Sequence, residues 1–521
     1  MATSTIMGRG IFALGAVLTS SIFYSGPTTV NEAVTAAPRE ARTAAAISDL
    51  VVDLPGLQNI PEFDQFAGYF DVEATKHVFY WYVESQSNPA TDPVIFWTNG
   101  GPSCSGLLGL GTEHGPFFIT ESGKLHENPY SWNKVANVLY VEQPAGVGFS
   151  FTDREEDLHT GDAVSSANNY ELIRQFIQRF PERQSNPFYI ASESYGGHYI
   201  PQLGLEILKQ NTDNLINFQG LFVGNPWVDP FSNTISEFSA YYHHGLLAKP
   251  LYDNFMVLCN DPSTLFTDQC DDIMGEMWAS FGDGTKGGIN PYALDYPTCI
   301  KDDPVWEHAG YRIQNADRRR RLGGTYKEFT VPVKDIQVQS SQLAYLMNLT
   351  RAGPNFSPLD DGQYKPCAEQ HLFDFLDTPA VREALHVSPK ITKPWAKCGG
   401  IHYSAHDVNV PANPLYQELI QQGVDGKHNL TMMVYSGDDD AICSTAGTQQ
   451  WIWEMGVDPL VTWNPWKVAE QTAGFVTHFD LGDKTDASFS FVTVHGAGHE
   501  VPAYRPIEAL TLFENYLNGQ W

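Results

Sequence analysis

Basic residues are scarce in this 521-residue chain: 31 Lys and Arg stand against 61 Asp and Glu, a formal net charge of -30. Nucleic acid and anionic membrane are therefore excluded as natural partners, because both bind through clustered cations. Such a balance fits a soluble protein of an acidic lumen, where part of the charge is neutralised. No segment beyond the first two dozen residues is long and apolar enough to span a bilayer. No internal repeat is visible, which sets repeat architectures aside. Cysteines are few and odd in number: Cys104, Cys259, Cys270, Cys299, Cys367, Cys398 and Cys443. Behind an export signal, an odd count fits three disulfides and one free thiol, with the pairing unreadable from composition. Disorder is excluded by what is abundant, since 12 Trp and 24 Tyr can build a sizeable core.

At the N-terminus, Arg9 precedes an apolar stretch from Ile11 to Phe23. It is short for a membrane span and resembles a secretory signal peptide. Residues 1–25 are thus expected to be a signal, and 26–48 a short propeptide or a disordered segment. Sequons at Asn348, Asn355 and Asn429 are compatible with glycosylation.

Further on, strand-like and helix-like segments alternate. "HVFYWYVES", "PVIFWTNGG", "NVLYVEQP", "PFYIASES" and "GLFVGNP" read as strands rich in β-branched and aromatic residues. "DAVSSANNYELIRQFIQRF" carries Leu172, Ile173, Phe176, Ile177 and Phe180 at helical spacing and stops at Pro181. This alternation predicts a mainly parallel sheet with both faces covered, over 49–228. From 229 to 360 the strand signal fades, as in a largely helical insertion. The pattern returns over 361–521 with helix-like "FLDTPAVREALHV", strands "LTMMVYSG" and "FSFVTVHGAG", and a last helix "RPIEALTLFENYL".

"FYIASESYGGHYIP" places Ser194 between a strand and a helix, the geometry of a nucleophile elbow. The flanking positions must be small; they are Ser192 and Gly196, so the strict G-x-S-x-G pattern is broken at its first glycine. Alone, a serine in a glycine-rich turn explains the stretch equally well. "VYSGDDDAIC" adds Asp438, Asp439 and Asp440 after a strand, and "VTVHGAGHEVP" adds His499 after another. An Asp triplet also occurs as a solvated turn or a cation site. His495 and His499 have the spacing of a helical metal pair, but Gly496 and Gly498 argue against a helix there. Ser, Asp, His in that order, each at a strand's carboxyl end, is the α/β-hydrolase order. Two glycines in "FWTNGGPSCSG" could aim backbone N–H groups at an oxyanion.

Taken together, "WTNGGPSCSG", "VEQPAGVGFS", "SESYGGHYIP", "YSGDDDAIC" and "HGAGHEVP" resemble the serine carboxypeptidases, from about Leu54 to the C-terminus. The resemblance implies an α/β-hydrolase fold with a cap subdomain. It implies a catalytic triad of Ser194, Asp440 and His499, and oxyanion donors at the backbone of Gly101 and Tyr195. Asn99, Gly100, Glu113 and Glu193 match the residues that grip a substrate's C-terminal carboxylate, and Trp97 matches a tryptophan beside them. No metal and no organic cofactor is implied. Substrates would be peptides or proteins with a free C-terminus, hydrolysed through an acyl-enzyme. The protein would be secreted or held in a vacuolar or lysosomal lumen, with homodimerisation left open. Ser192 and Ser103 both stand where the family commonly has Gly.

The carboxyl pair has a physical rationale. Two carboxyls in contact must share a proton, because like charges raise one pKa. The shared proton lets Glu193 donate to a substrate carboxylate, so peptidase activity is expected to be best at acid pH, with KM rising as pH increases. The same resemblance pairs Cys104–Cys398, Cys259–Cys270 and Cys299–Cys367. It leaves Cys443 as a free thiol near the leaving-group side, with sensitivity to mercurials expected; a buried packing cysteine is the plainer account. Glu500, following His499, is expected to bear on the leaving-group pocket and to tolerate basic C-terminal residues, or else to cap a helix. Arg318–Arg321 marks 302–340 as a loop open to processing, or a solvated basic run. Two other activities share the fold: acyl transfer, and a lumenal role stabilising other hydrolases.

Overall fold

The computed structural model describes residues 40–281, 288–299, 364–482 and 485–520. An 11-stranded sheet runs through the molecule. Its strands are β1 (Gln65–Glu73), β2 (Lys76–Val83), β3 (Val94–Thr98), β4 (Asn137–Val141), β5 (Phe151–Thr152), β6 (Phe188–Ser194), β7 (Phe218–Pro226), β8 (Thr431–Gly437), β9 (Pro459–Val468), β10 (Gln471–Phe479) and β11 (Ser488–Val494). The order is β1-β2-β4-β3-β6-β7-β8-β11-β10-β9, with β5 pairing β2. From β4 to β11 every neighbouring pair is parallel. The outer pairs β1–β2, β2–β4, β11–β10 and β10–β9 are antiparallel. The expected α/β-hydrolase fold is thus a parallel centre with antiparallel wings.

Alternation along β2 shows how the sequence builds two cores. Val78, Tyr80 and Tyr82 enter the cluster on one face, and Phe79, Trp81 and Val83 enter the other. Period-two side-chain placement sends successive residues to opposite faces. Helix Asp162–Arg179 covers the first face with Leu172, Ile173, Phe176 and Ile177. Helix Pro506–Asn518 covers the second with Ala509, Leu512, Phe513 and Tyr516. Within the insertion, helices Pro230–His243, Lys249–Leu258 and Asp268–Ser280 share a third core around Phe238, Tyr241, Phe255 and Met277, and Cys259–Cys270 ties it.

Local departures have physical causes. The segment read as one helix, "FLDTPAVREALHV", is the end of helix Ala368–Leu376 followed by helix Pro379–Ala384. Pro379 has no N–H to continue the first helix but suits the first turn of the next. Of the stretch expected over 26–48 to be a propeptide or a disordered segment, residues 40–48 are described, and they are ordered. Thr43 caps helix Ala44–Ser48, Ala46 is fully buried, and the buried Arg42 pairs with Glu84 at 2.5 Å and with Glu182. Arg183 reaches the same Glu84 at 2.6 Å and also pairs with Glu40. Desolvated guanidinium groups with such partners hold a segment firmly in place. The signal segment, the loop 302–340 with Arg318–Arg321, Asn348 and Asn355 lie outside the described residues. Asn429 is exposed.

Candidate active site

Ser194 ends β6 with a φ of 59°, and Tyr195 caps the following helix Gly196–Gln210. The left-handed turn throws the serine out of the strand line, which is what an elbow does. A Cβ at Gly196 would lie 2.1 Å from the Ser192 hydroxyl oxygen, so Gly196 cannot be enlarged. That glycine makes room for Ser192, which is fully buried and donates to the Glu193 carbonyl at 3.3 Å. Ser103 takes a φ of 77°, the region that favours glycine. It is held there by its N–H to the Tyr199 hydroxyl at 3.1 Å and by the Gly399 N–H on its carbonyl at 3.0 Å.

The glycine loop lies against the elbow. A Cβ on Gly100 would sit 2.4 Å from the Tyr195 nitrogen and 2.7 Å from the Ser194 Cβ. Gly101 has a φ of 113°, open only to glycine. Cys104 is bonded to Cys398, 294 residues away, which anchors the loop to the second half of the chain. Glu142 supports it from below, accepting from Ser105 Oγ at 2.6 Å, Trp395 Nε1 at 2.7 Å and the Phe149 N–H at 2.6 Å.

Asp440 and His499 follow β8 and β11. His499 Nδ1 lies 2.7 Å from Asp440 Oδ2, and both side chains are buried. Asp440 also accepts from Asn225 Nδ2 at 2.9 Å and from the N–H groups of Ile442 and Cys443 at 2.8 and 3.1 Å. Asn225 had no obvious signal in the sequence. Its φ of 36° in "GNP" is the one local oddity that marks it, since Asn tolerates that region better than most residues. Burial opposes charge on His499, yet the Asp440 carboxylate and its hydrogen bond outweigh it and lift the imidazole to about 9. Glu500 and Glu113 add to that lift, so protonating them lowers it again.

The second half of the site is a carboxyl pair. Asn99 Nδ2 donates to Glu193 at 2.7 Å and to Glu113 at 3.1 Å. Its Oδ1 accepts from Trp97 Nε1 at 2.9 Å and from the Gly109 N–H at 3.1 Å, which fixes which way the amide faces. Trp97, expected beside this site, is wholly buried and meets it through its bond to Asn99. Glu113 ends a π-helical turn, Gly109–Glu113, a local form common at functional sites. Burial is the first cause that raises Glu113, with Glu500 next, to about 8. Burial, then Glu113 and Glu500, push Glu193 well above the ordinary range. The like-charge effect read from the sequence is therefore second to desolvation for Glu193.

Glu500 stands at the N-cap of helix Val501–Tyr504 without a side-chain cap bond, and it is partly buried. Its carboxyl is raised by burial, so it belongs with the pair electrostatically. Cys443 is a free, buried thiol whose pKa burial and then Asp440 push well up. Cys299 is bonded to Cys367. Asp440, Cys443 and His499 could each offer a ligand atom to a metal. Asp440 Oδ2 already takes Asn225, the Cys443 N–H and the His499 imidazole, and Oδ1 takes the Ile442 N–H, so a cation drawing on Oδ2 and His499 would displace the contact that holds the imidazole. Glu237, buried and raised to about 8 by burial, lies in the insertion behind Asp440.

Residues 55–519 match the family described as serine carboxypeptidase. The mouse (Mus musculus) lysosomal protective protein is 34% identical, over 92% of this chain and 95% of its own. Serine carboxypeptidase-like 26 of Arabidopsis thaliana is 32% identical, over 91% and 93%. The P-(S)-hydroxymandelonitrile lyase of Sorghum bicolor is 31% identical, over 91% and 84%. A prohormone-processing carboxypeptidase from Saccharomyces cerevisiae superposes with a TM-score of 0.65 at 20% identity, covering 89% of this chain and 94% of that one.

Proposed function

The chain belongs to the serine carboxypeptidase family, and from that premise we propose that it releases C-terminal amino acids from peptides through an acyl-enzyme. Ser194 attacks the scissile carbonyl while His499 takes its proton at Nε2, the nitrogen that Asp440 leaves available. Asp440 stabilises the imidazolium that forms, and backbone N–H groups of Gly101 and Tyr195 receive the oxyanion. His499 then protonates the leaving amine, and water repeats the sequence on the ester.

What carries the reading is the buried Glu113–Glu193 pair around Asn99, beside the Ser194 elbow. A protonated Glu193, the Asn99 amide and the Gly100 N–H grip the terminal carboxylate. An acyltransferase has no need for such a grip, so the pair favours a peptidase over acyl transfer. The enzyme works on the acid side of the pair's titration, where protonated Glu113 and Glu500 no longer add to the lift on His499 and its imidazole is more readily the neutral base. Burial, with Glu113 and Glu500 next to it, holds the Glu193 proton above the ordinary carboxyl range, so the grip outlasts the pH at which a free carboxyl ionises. The disulfides and the exposed Asn429 sequon support a lumenal or secreted setting. Among the described residues no helix is long and apolar enough to cross a membrane.

A serine-directed phosphonate is expected to label the protein and to leave Ser194→Ala unlabelled. In parallel, the unmodified enzyme releases single C-terminal residues from a peptide at acid pH. Labelling of Ser194→Ala to the same extent contradicts the reading.

A further inference from the structure

Residues Asn290–Tyr296 form no helix or strand, yet they touch both catalytic loops. The Pro291 carbonyl accepts the Ala441 N–H at 3.1 Å, and the Leu294 N–H reaches the Asp439 carbonyl at 3.1 Å. The Asp295 N–H donates to Asp439 Oδ2 at 3.0 Å. Both neighbours of Asp440 are thereby fixed. On the other loop, the Tyr292 carbonyl accepts the His499 N–H at 2.7 Å, and the Tyr296 hydroxyl donates to the Gly496 carbonyl at 2.8 Å. A Cβ on Gly498 would fall 2.3 Å from the Tyr292 oxygen and 2.5 Å from the Ala293 Cβ, so the strap presses directly on the turn before His499. The Tyr292 ring stands edge-on to the His499 imidazole, with centroids 5.2 Å apart and planes at 70°.

We propose that this strap is a positioning element of the triad, with Tyr292 holding the His499 ring and Tyr296 holding its loop. The inference rests on the triad proposed above and adds what sets its geometry. The loops also meet directly: Asp438 takes His495 Nδ1 and the Gly496 N–H at 2.7 Å each, the Asp439 N–H reaches the Ala497 carbonyl at 2.9 Å, and Asp440 holds His499. The strap bridges them from a third segment of chain. Cys299, three residues beyond Tyr296, is bonded to Cys367 at the start of helix Ala368–Leu376. That helix places Leu372 where a Cβ on Gly111 would be, 2.5 Å away, in the turn that carries Glu113. The strap is thus anchored to the carboxylate-gripping half as well. Neither tyrosine touches the reacting atoms in this account; each acts through His499.

The test compares wild type with Tyr292→Ala, Tyr292→Phe and Tyr296→Phe for phosphonate labelling rate, ester kcat and KM across pH, and thermal midpoint. A displaced catalytic group costs up to about 100-fold, so Tyr292→Ala is expected to lose roughly 10- to 100-fold in kcat and labelling rate, with KM little changed. The limb of the pH profile that reports His499 moves with it, and Tyr292→Phe restores the rate by restoring the ring. Tyr296→Phe is expected to lose about 3- to 10-fold, as one hydrogen bond to the loop is removed. If Tyr292→Ala does not fold, Tyr296→Phe decides alone. Wild-type labelling rates and pH profiles in folded variants, whatever their thermal midpoints, overturn the strap's role. A wild type that resists the phosphonate overturns the triad reading instead.

Discussion

Two sets of buried carboxyls lie side by side in this molecule and meet opposite surroundings. Asp440 has four donors, an amide, a backbone N–H and an imidazole on Oδ2 and a second backbone N–H on Oδ1. Glu113 and Glu193 have one amide between them, and a third carboxyl, Glu500, close enough to raise both. The number of donors facing a buried carboxyl decides what it can do. Well supplied, it serves as the counter-charge that lifts His499; poorly supplied, it keeps a proton and becomes a donor itself. One half of the site therefore runs on a fixed negative charge and the other on a retained proton.

The largest break in this contrast comes from removing the charge. Asp440→Asn is expected to lower kcat by about 10⁴-fold, with peptide KM little changed, because the imidazole loses its orienting partner. Steady-state kinetics on a peptide and an ester should show equal losses. Removing the retained proton acts on binding instead. Glu193→Ala is expected to raise peptide KM roughly 100-fold, the loss of a hydrogen bond to a charged group at about 2–3 kcal/mol. Esters without a terminal carboxylate should be spared, and equal losses on both substrates would place Glu193 outside the grip.

Smaller effects sharpen the boundary between the halves. A mercurial is expected to inhibit through Cys443, whereas alkylation, which needs the thiolate, is expected to be slow because burial holds the thiol protonated. Mass spectrometry of the modified protein reads both. Ser103→Gly relieves a left-handed backbone and is expected to stabilise by about 1 kcal/mol in denaturant unfolding, with kcat unchanged.

Much of this was legible from residues alone. The strands that carry Ser194, Asp440 and His499 are apolar runs ending in turn residues, and their order along the chain matches their places at the sheet's carboxyl edge. The wing hairpin β9–β10 was not legible. Pro459 and Pro465 lower the strand signal of β9, and an edge strand tolerates them because its outer N–H groups need no ladder partner. Asn225 and Tyr292 escaped for another reason. Their work is done through φ, a backbone carbonyl and a ring edge, which leave no residue-type pattern at fixed spacing. Ser192 seemed to break the elbow and does not, because the space it needs is left by Gly196.

The most direct test of the retained proton is KM against pH for a peptide with a free C-terminus and for its C-terminal amide or ester. Burial holds the carboxyl pair protonated beyond the ordinary carboxyl range, so the free peptide's KM should stay low at acid pH and climb as the pair loses its proton, while its blocked counterpart shows no such climb. Parallel profiles for the two substrates would contradict the account.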